Sequence, residues 1–140
     1  MGSRTRRVLI ADDHQDAADR LAILLCMAGY DAQVAYGGAE AIQLATTFNP
    51  EVAILDINMP GIDGYEVVKA LIARSTASDR PLLIALTALS SPEAFRRSFE
   101  AGLDYHVVKP PAAGQLLSMI GSGKRSSEHE GGGMRFIEGG

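Results

Sequence analysis

The sequence of 140 residues has a single cysteine, Cys26. One thiol cannot close an internal disulfide, so the core must hold the fold, and no oxidising compartment is implied. Cys26 falls inside a helical apolar pattern. It is expected to be a small buried hydrophobe, because no histidine or ligand cluster accompanies it to make a reactive thiol. No apolar run approaches the ~18 residues of a membrane span. The basic start, Arg4 to Arg7, precedes only Val8 to Ala11 before acids follow. That is too short for a signal peptide, and a cytoplasmic location is expected. A basic excess is also missing: 13 Lys and Arg stand against 17 Asp and Glu, a net charge of −4. Neither nucleic acid nor membrane is therefore expected as a direct partner. An acidic site holding a cation remains open.

What is present is alternation. Val8 to Ala11, Val52 to Leu55 and Leu82 to Leu86 are continuous apolar runs, the pattern of strands buried on both faces. Asp31 to Ala35 alternates polar and apolar, like a more exposed strand, and His106 to Val108 is a short last one. Helical patterns lie between them. Gln15 to Ala28 places Ala18, Leu21, Leu25 and Ala28 inward, with Gly29 closing the helix. Ala39 to Thr47 stops at Asn49-Pro50. Tyr65 to Arg74 turns Val67, Val68, Leu71 and Ile72 inward. Pro92 to Ala101 starts from Ser91 as N-cap, and Pro111 to Ile120 ends the series. Five β/α units joined by short loops imply right-handed crossovers and a parallel sheet covered on both faces. The expected fold is α/β and flavodoxin-like, a (βα)5 doubly wound sheet of order 2-1-3-4-5. The domain is expected over residues 6–120. Residues 1–5 are expected to be disordered, and 121–140 to be a flexible Gly/Ser-rich tail or linker. Met134 to Ile137 is a small apolar island in that tail, read as solvated.

The chemistry lies at the strand ends. The first strand ends in Asp12-Asp13, the third in Asp56, the fourth in Thr87 and the fifth in Lys109. In a parallel sheet these ends share one edge, and ligands bind there at the switch between strands 1 and 3. Three close carboxylates repel unless compensated. A divalent cation and a lysine are natural compensation, and Mg²⁺ suits oxygen ligands plus phosphate. Zinc is disfavoured, since Cys26 lies on a helix and His14 adjoins acids. A carboxylate can attack phosphorus and form an acyl phosphate. The metal, the Lys109 ammonium and the Thr87 hydroxyl would each take one equatorial oxygen. Asp56, between the two flanking groups, is the best nucleophile. Taken singly, Asp12-Asp13 reads as helix capping, Asp56 as a turn residue, Thr87 as a strand-end hydroxyl and Lys109 as solvated. Their joint placement favours the chemical reading.

The segments Ile10 to Asp13, Leu55 to Gly64, Leu86-Thr87-Ala88 and Val108-Lys109-Pro110 together resemble the response-regulator receiver domain, from about Arg6 to about Ile120. The resemblance implies that Asp56 is the phosphoacceptor and Asp13 a direct Mg²⁺ ligand. Asp12 would act through water, and the Asn58 backbone carbonyl would complete the metal shell. Thr87 would be the switch hydroxyl, Lys109 the phosphate partner and Lys109-Pro110 a cis bond. It also implies that a histidine kinase or histidine phosphotransfer protein supplies the phosphoryl group. A downstream partner would read the face formed by helix 4, strand 5 and helix 5. Such a domain is not an enzyme beyond its own phosphorylation and dephosphorylation.

One position departs from the family pattern. Many receivers carry Tyr or Phe three residues before the lysine, where this chain has His106. Tyr105 cannot replace it, because neighbouring strand residues face opposite ways. His106 is expected to turn inward when Thr87 moves, and its charge would make the switch pH-sensitive. Gly102 to His106 is similar to receivers attached to hybrid histidine kinases. No helix-turn-helix pattern follows Ile120, so a stand-alone receiver or one excised from a longer chain is expected. Rival readings fit less well. A flavodoxin needs a Ser/Thr/Gly phosphate loop where Asp12 to Gln15 stands. A haloacid-dehalogenase-type phosphatase needs a second Asp where Asn58 stands. The alternative that survives is a receiver-like interaction module that never takes phosphate.

Overall fold

A computed structural model describes residues 6–76, 79–122 and 135–137. The elements alternate: β1 (Arg7–Ala11), α1 (Gln15–Met27), β2 (Asp31–Ala35), α2 (Gly38–Phe48), β3 (Val52–Asp56), α3 (Gly64–Ala73), β4 (Leu82–Thr87), α4 (Pro92–Ala101), β5 (Tyr105–Val108), α5 (Ala113–Ser122) and β6 (Arg135–Ile137). The sheet order is β2-β1-β3-β4-β5-β6, and every pairing is parallel. The first five strands thus have the expected order. β3 and β4 are buried along their whole length, whereas the edge strand β2 alternates. This matches their sequence patterns, because covered strands need apolar residues on both faces.

Alternation divides the core into two layers. Leu9, Ala53, Leu55, Leu83 and Ala85 pack with Ala41 and Ala45 of α2 and Val67, Val68 and Leu71 of α3. Val8, Ile10, Val52, Ile54, Ile84 and Val107 pack with Ala18 and Leu25 of α1 and Leu116 and Ile120 of α5. Cys26 corrects one expectation. It is exposed, together with Ile23 and Met27. Leu25 takes the inward position, and the next residue sits about 100° further round the helix. Ala28, also expected inside, is exposed because it is the C-cap residue, past the last helical turn of α1.

The tail brings a second correction. Arg135–Ile137, expected to be solvated, forms a sixth strand beside β5, with Tyr105 opposite Arg135, His106 opposite Phe136 and Val107 opposite Ile137. Without it β5 would present an unpaired edge, and an edge accepts a tethered segment readily. Residues 1–5, expected to be disordered, lie outside the described residues, as do 123–134 and 138–140.

The start of β5 is closed by Asp104. Its N–H donates to the Leu83 carbonyl at 2.8 Å, and its Oδ2 accepts the Leu83 N–H at 2.8 Å. Arg80 Nη1 lies 3.4 Å from Asp104 Oδ1, and Arg80 Nη2 donates to the Gly102 carbonyl. Asp104→Ala would strip the buried Leu83 N–H of its acceptor and Arg80 of its carboxylate. The expected loss is about 3 kcal/mol, read as a lower unfolding free energy in urea. A loss within ~0.5 kcal/mol would show that this pair does not hold the start of β5.

Candidate functional site

Register sets the site. Ala11 pairs with Leu55, so Asp12 and Asp56 follow side by side from the two strands flanking the switch point. Asp56 pairs with Leu86, and Thr87 pairs with Val108. Thr87 and Lys109 therefore step successively outward along the same edge. Asp12 and Asp56 are each only 3% exposed and Thr87 1%. Lys109 Nζ reaches back to 3.3 Å from Asp56 Oδ2 and 3.6 Å from Asp12 Oδ2. The Lys109-Pro110 peptide is cis.

The carboxylates are oriented by nearby backbone. Asp56 Oδ1 accepts the Asn58 N–H at 3.1 Å, and Asp12 Oδ1 accepts the His14 N–H at 2.9 Å. The capping reading of Asp12-Asp13 fails: the N-cap of α1 is His14, with no side-chain cap bond. Asp63 does cap α3, through a reciprocal capping box with Glu66. That box fixes the far end of the loop that starts at Asp56.

Burial pushes the Asp56 carboxyl up to about 6. The Lys109 charge opposes this rise, while the hydrogen bond and negative charge of Asp12 add to it. A carboxyl held there is short of positive charge. Asp13 Oδ1 is buried and has no hydrogen-bond partner among the described residues. Ligand atoms of Asp12, Asp13, His14 and Asp56 all lie within 4.8 Å of one another. Three carboxylates against one ammonium leave a double negative charge. A divalent cation fits both that charge and the orphaned oxygen. His14 was outside the donor set expected from sequence, yet its ring joins this cluster.

His106 differs from expectation. It is already inside, 1% exposed, on the α4 side of β5. Its Nε2 lies 2.9 Å from the Leu89 carbonyl and its Nδ1 2.8 Å from Ser98 Oγ. The Phe95 ring meets it edge-on at 4.3 Å. A carbonyl only accepts, so Nε2 carries the proton, and the Ser98 hydroxyl donates to Nδ1. Burial lowers the His106 pKa, and the Leu89 bond opposes that shift. No inward turn is needed, because α4 supplies Ser98, a polar partner inside the core. Ser98 was not legible in sequence, where it is one serine of an amphipathic helix. The Leu89 N–H in turn donates to Thr87 Oγ1 at 3.1 Å. Thr87 and His106 thus hold the N–H and the carbonyl of one residue of the β4–α4 loop, Leu89.

A doubly wound sheet with buried acids at its switch point, a lysine beside them and a hydroxyl at the next strand end defines a phosphorelay-type switch domain. The chain belongs to the response regulator receiver domain family, which it matches over residues 8–121. It is 38% identical to the transcriptional regulatory protein PrrA of Mycobacterium leprae (strain TN) over 119 residues, 85% of this chain and 50% of that protein. It spans about half the length of the curated relatives it matches. Among solved structures it resembles the Vibrio cholerae chemotaxis protein CheY4, with TM-score 0.77 and 31% identity over 84% of this chain and 98% of that one. It also resembles the receiver domain of a signal transduction histidine kinase from Syntrophus aciditrophicus, with TM-score 0.73 and 30% identity over 84% and 88%. The chain is a two-component receiver. No helix among its described residues is long and apolar enough to cross a membrane.

Proposed function

We propose that Asp56 is the phosphoacceptor, and that a phosphohistidine on a histidine kinase or phosphotransfer protein is the donor, on the cytoplasmic side. The observation that carries this is the buried Asp56 carboxylate, 3.3 Å from the Lys109 ammonium and beside Asp12. Asp12, Asp13, Asp56 and the Asn58 carbonyl would hold Mg²⁺. When bound, Mg²⁺ supplies positive charge that offsets the carboxylates and neutralises phosphoryl oxygens. An Asp56 oxygen attacks phosphorus, a P–O bond forms as the P–N bond breaks, and the electron pair leaves on the donor imidazole, which takes up a proton.

Lys109 then stands beside the new dianion. The Thr87 oxygen already accepts from Leu89, so its own hydrogen is the one to offer a phosphoryl oxygen. Any shift of Thr87 pulls on Leu89, whose carbonyl is tied to His106 and through it to Ser98 on α4. The signal thereby reaches the α4–β5–α5 face, where a downstream partner reads it. Catalysis is limited to the domain's own phosphorylation and dephosphorylation.

Intact-mass spectrometry after incubation with acetyl phosphate and Mg²⁺ tests this. One added phosphoryl group on the wild type, absent from Asp56→Asn and lost on chelation, is the expected result. A wild type that takes no adduct and binds no beryllofluoride would leave only a phosphate-independent interaction module.

A further inference from the structure

The acid cluster includes one donor that is not an oxygen. His14 Nδ1 lies 3.6 Å from Asp12 Oδ1 and 3.6 Å from Asp13 Oδ1, the second being the oxygen with no hydrogen-bond partner. Adjacent donors around one octahedral ion with bonds of about 2.1 Å are about 3 Å apart. Each of the two observed separations would need to close by about 0.6 Å. His14 is free to make that adjustment. Its side chain is 75% exposed, it caps no helix N–H, and its ring makes no hydrogen bond among the described residues. Its backbone is meanwhile fixed, because its N–H is held by Asp12.

We propose that His14 is a metal-specificity residue: its imidazole joins the carboxylates on borderline divalent cations such as Co²⁺, while contributing little to Mg²⁺. This rests on the reading of the acid cluster as the metal site. The physical reason is donor softness. Imidazole nitrogen suits cobalt, nickel and zinc, whereas Mg²⁺ prefers oxygen and keeps its waters. Carboxylates alone already bind Co²⁺ better than Mg²⁺, so the mark of His14 is the change in that ratio, not the ratio itself. With His14 engaged, the receiver would also load with a transition ion at concentrations where an all-oxygen site holds Mg²⁺.

The test is calorimetric titration of the full chain and of His14→Gln with Mg²⁺ and, separately, with Co²⁺. Glutamine keeps the bulk and polarity of an exposed position but supplies no imidazole, and circular dichroism verifies its fold. The expected result is Co²⁺ binding weakened roughly tenfold or more, Mg²⁺ binding changed less than about twofold, and a changed visible Co²⁺ spectrum. Asp13→Asn, run beside it, is expected to weaken both ions. Equal effects of His14→Gln on the two ions, or no effect on Co²⁺, would overturn the role of His14 while leaving the acid site standing. Failure of both ions to bind the wild type would overturn the acid site and this inference with it, and failure of Co²⁺ alone would overturn only the role of His14.

Discussion

Asp56→Asn is expected to stabilise the metal-free protein by about 2 kcal/mol near pH 7.5 while abolishing phosphorylation. The carboxyl is raised from 3.8 to about 6, chiefly because burial penalises the charge. The sign is opposite to that of an ordinary salt-bridged aspartate. The unfolded chain releases its proton near pH 4, but the folded chain keeps it to about pH 6. Between those values the unfolded state is favoured progressively, so stability is highest below about pH 4 with respect to this group. It falls as pH rises and levels off above about 6. A shift of roughly two units is worth about 3 kcal/mol at most. Some of that gain is offset in the variant, because Lys109 loses a carboxylate partner. Asparagine does not titrate, so its stability curve should lack the fall between pH 4 and 6. Adding Mg²⁺ should narrow the gap, since the ion binds the folded wild type and opposes the same repulsion. Urea unfolding of both proteins in chelator across pH 4.5 to 7.5 checks this. Parallel curves would mean that Asp56 is not held uncharged by its surroundings.

The second large effect is steric. Gly64→Ala is expected to cost about 3 kcal/mol and to slow phosphorylation at least about tenfold. A Cβ at Gly64 would sit 2.7 Å from the Asp56 carbonyl oxygen and 2.8 Å from the Ile57 Cα. Both are backbone atoms, which cannot rotate aside as a side-chain end can. The loop is also fixed at both ends. The Gly64 N–H donates to the Ile57 carbonyl at 3.1 Å, and the Asp63–Glu66 capping box holds the first turn of α3. Relief must therefore come from moving Asp56 and Ile57, which displaces the proposed nucleophile. Gly114→Ala is the contrast. That glycine lies in α5 with open space around it, and alanine there should stabilise by about 0.5–1 kcal/mol. Thermal unfolding and acetyl-phosphate labelling of the two variants measure both effects. A Gly64→Ala protein as stable and reactive as wild type would show that the loop yields elsewhere.

These two glycines mark the border between what sequence and structure each decide. In the sequence, Gly64 is the second half of an Asp-Gly turn signal and Gly114 a helix-weakening residue. Only the approach of Asp56 and Ile57, at the end of β3, makes a side chain at Gly64 costly. The same holds for Ser98, which becomes a buried partner only because β5 places His106 against α4.

The alternation of buried runs and helical periods by itself determined the sheet, its parallel sense and the gathering of Asp12, Asp13, Asp56, Thr87 and Lys109 at one edge. These are consequences of local periodicity and of short right-handed connections, which one chain carries in full. The tertiary structure alone decided which side of α1 holds Cys26, whether His106 points in or out, and that a three-residue segment of the tail pairs with β5. It also decided that the ring of His14 turns to the acids. Those outcomes depend on contacts between residues far apart in sequence, where a difference of one helical position or one free strand edge settles the result and no local pattern records it.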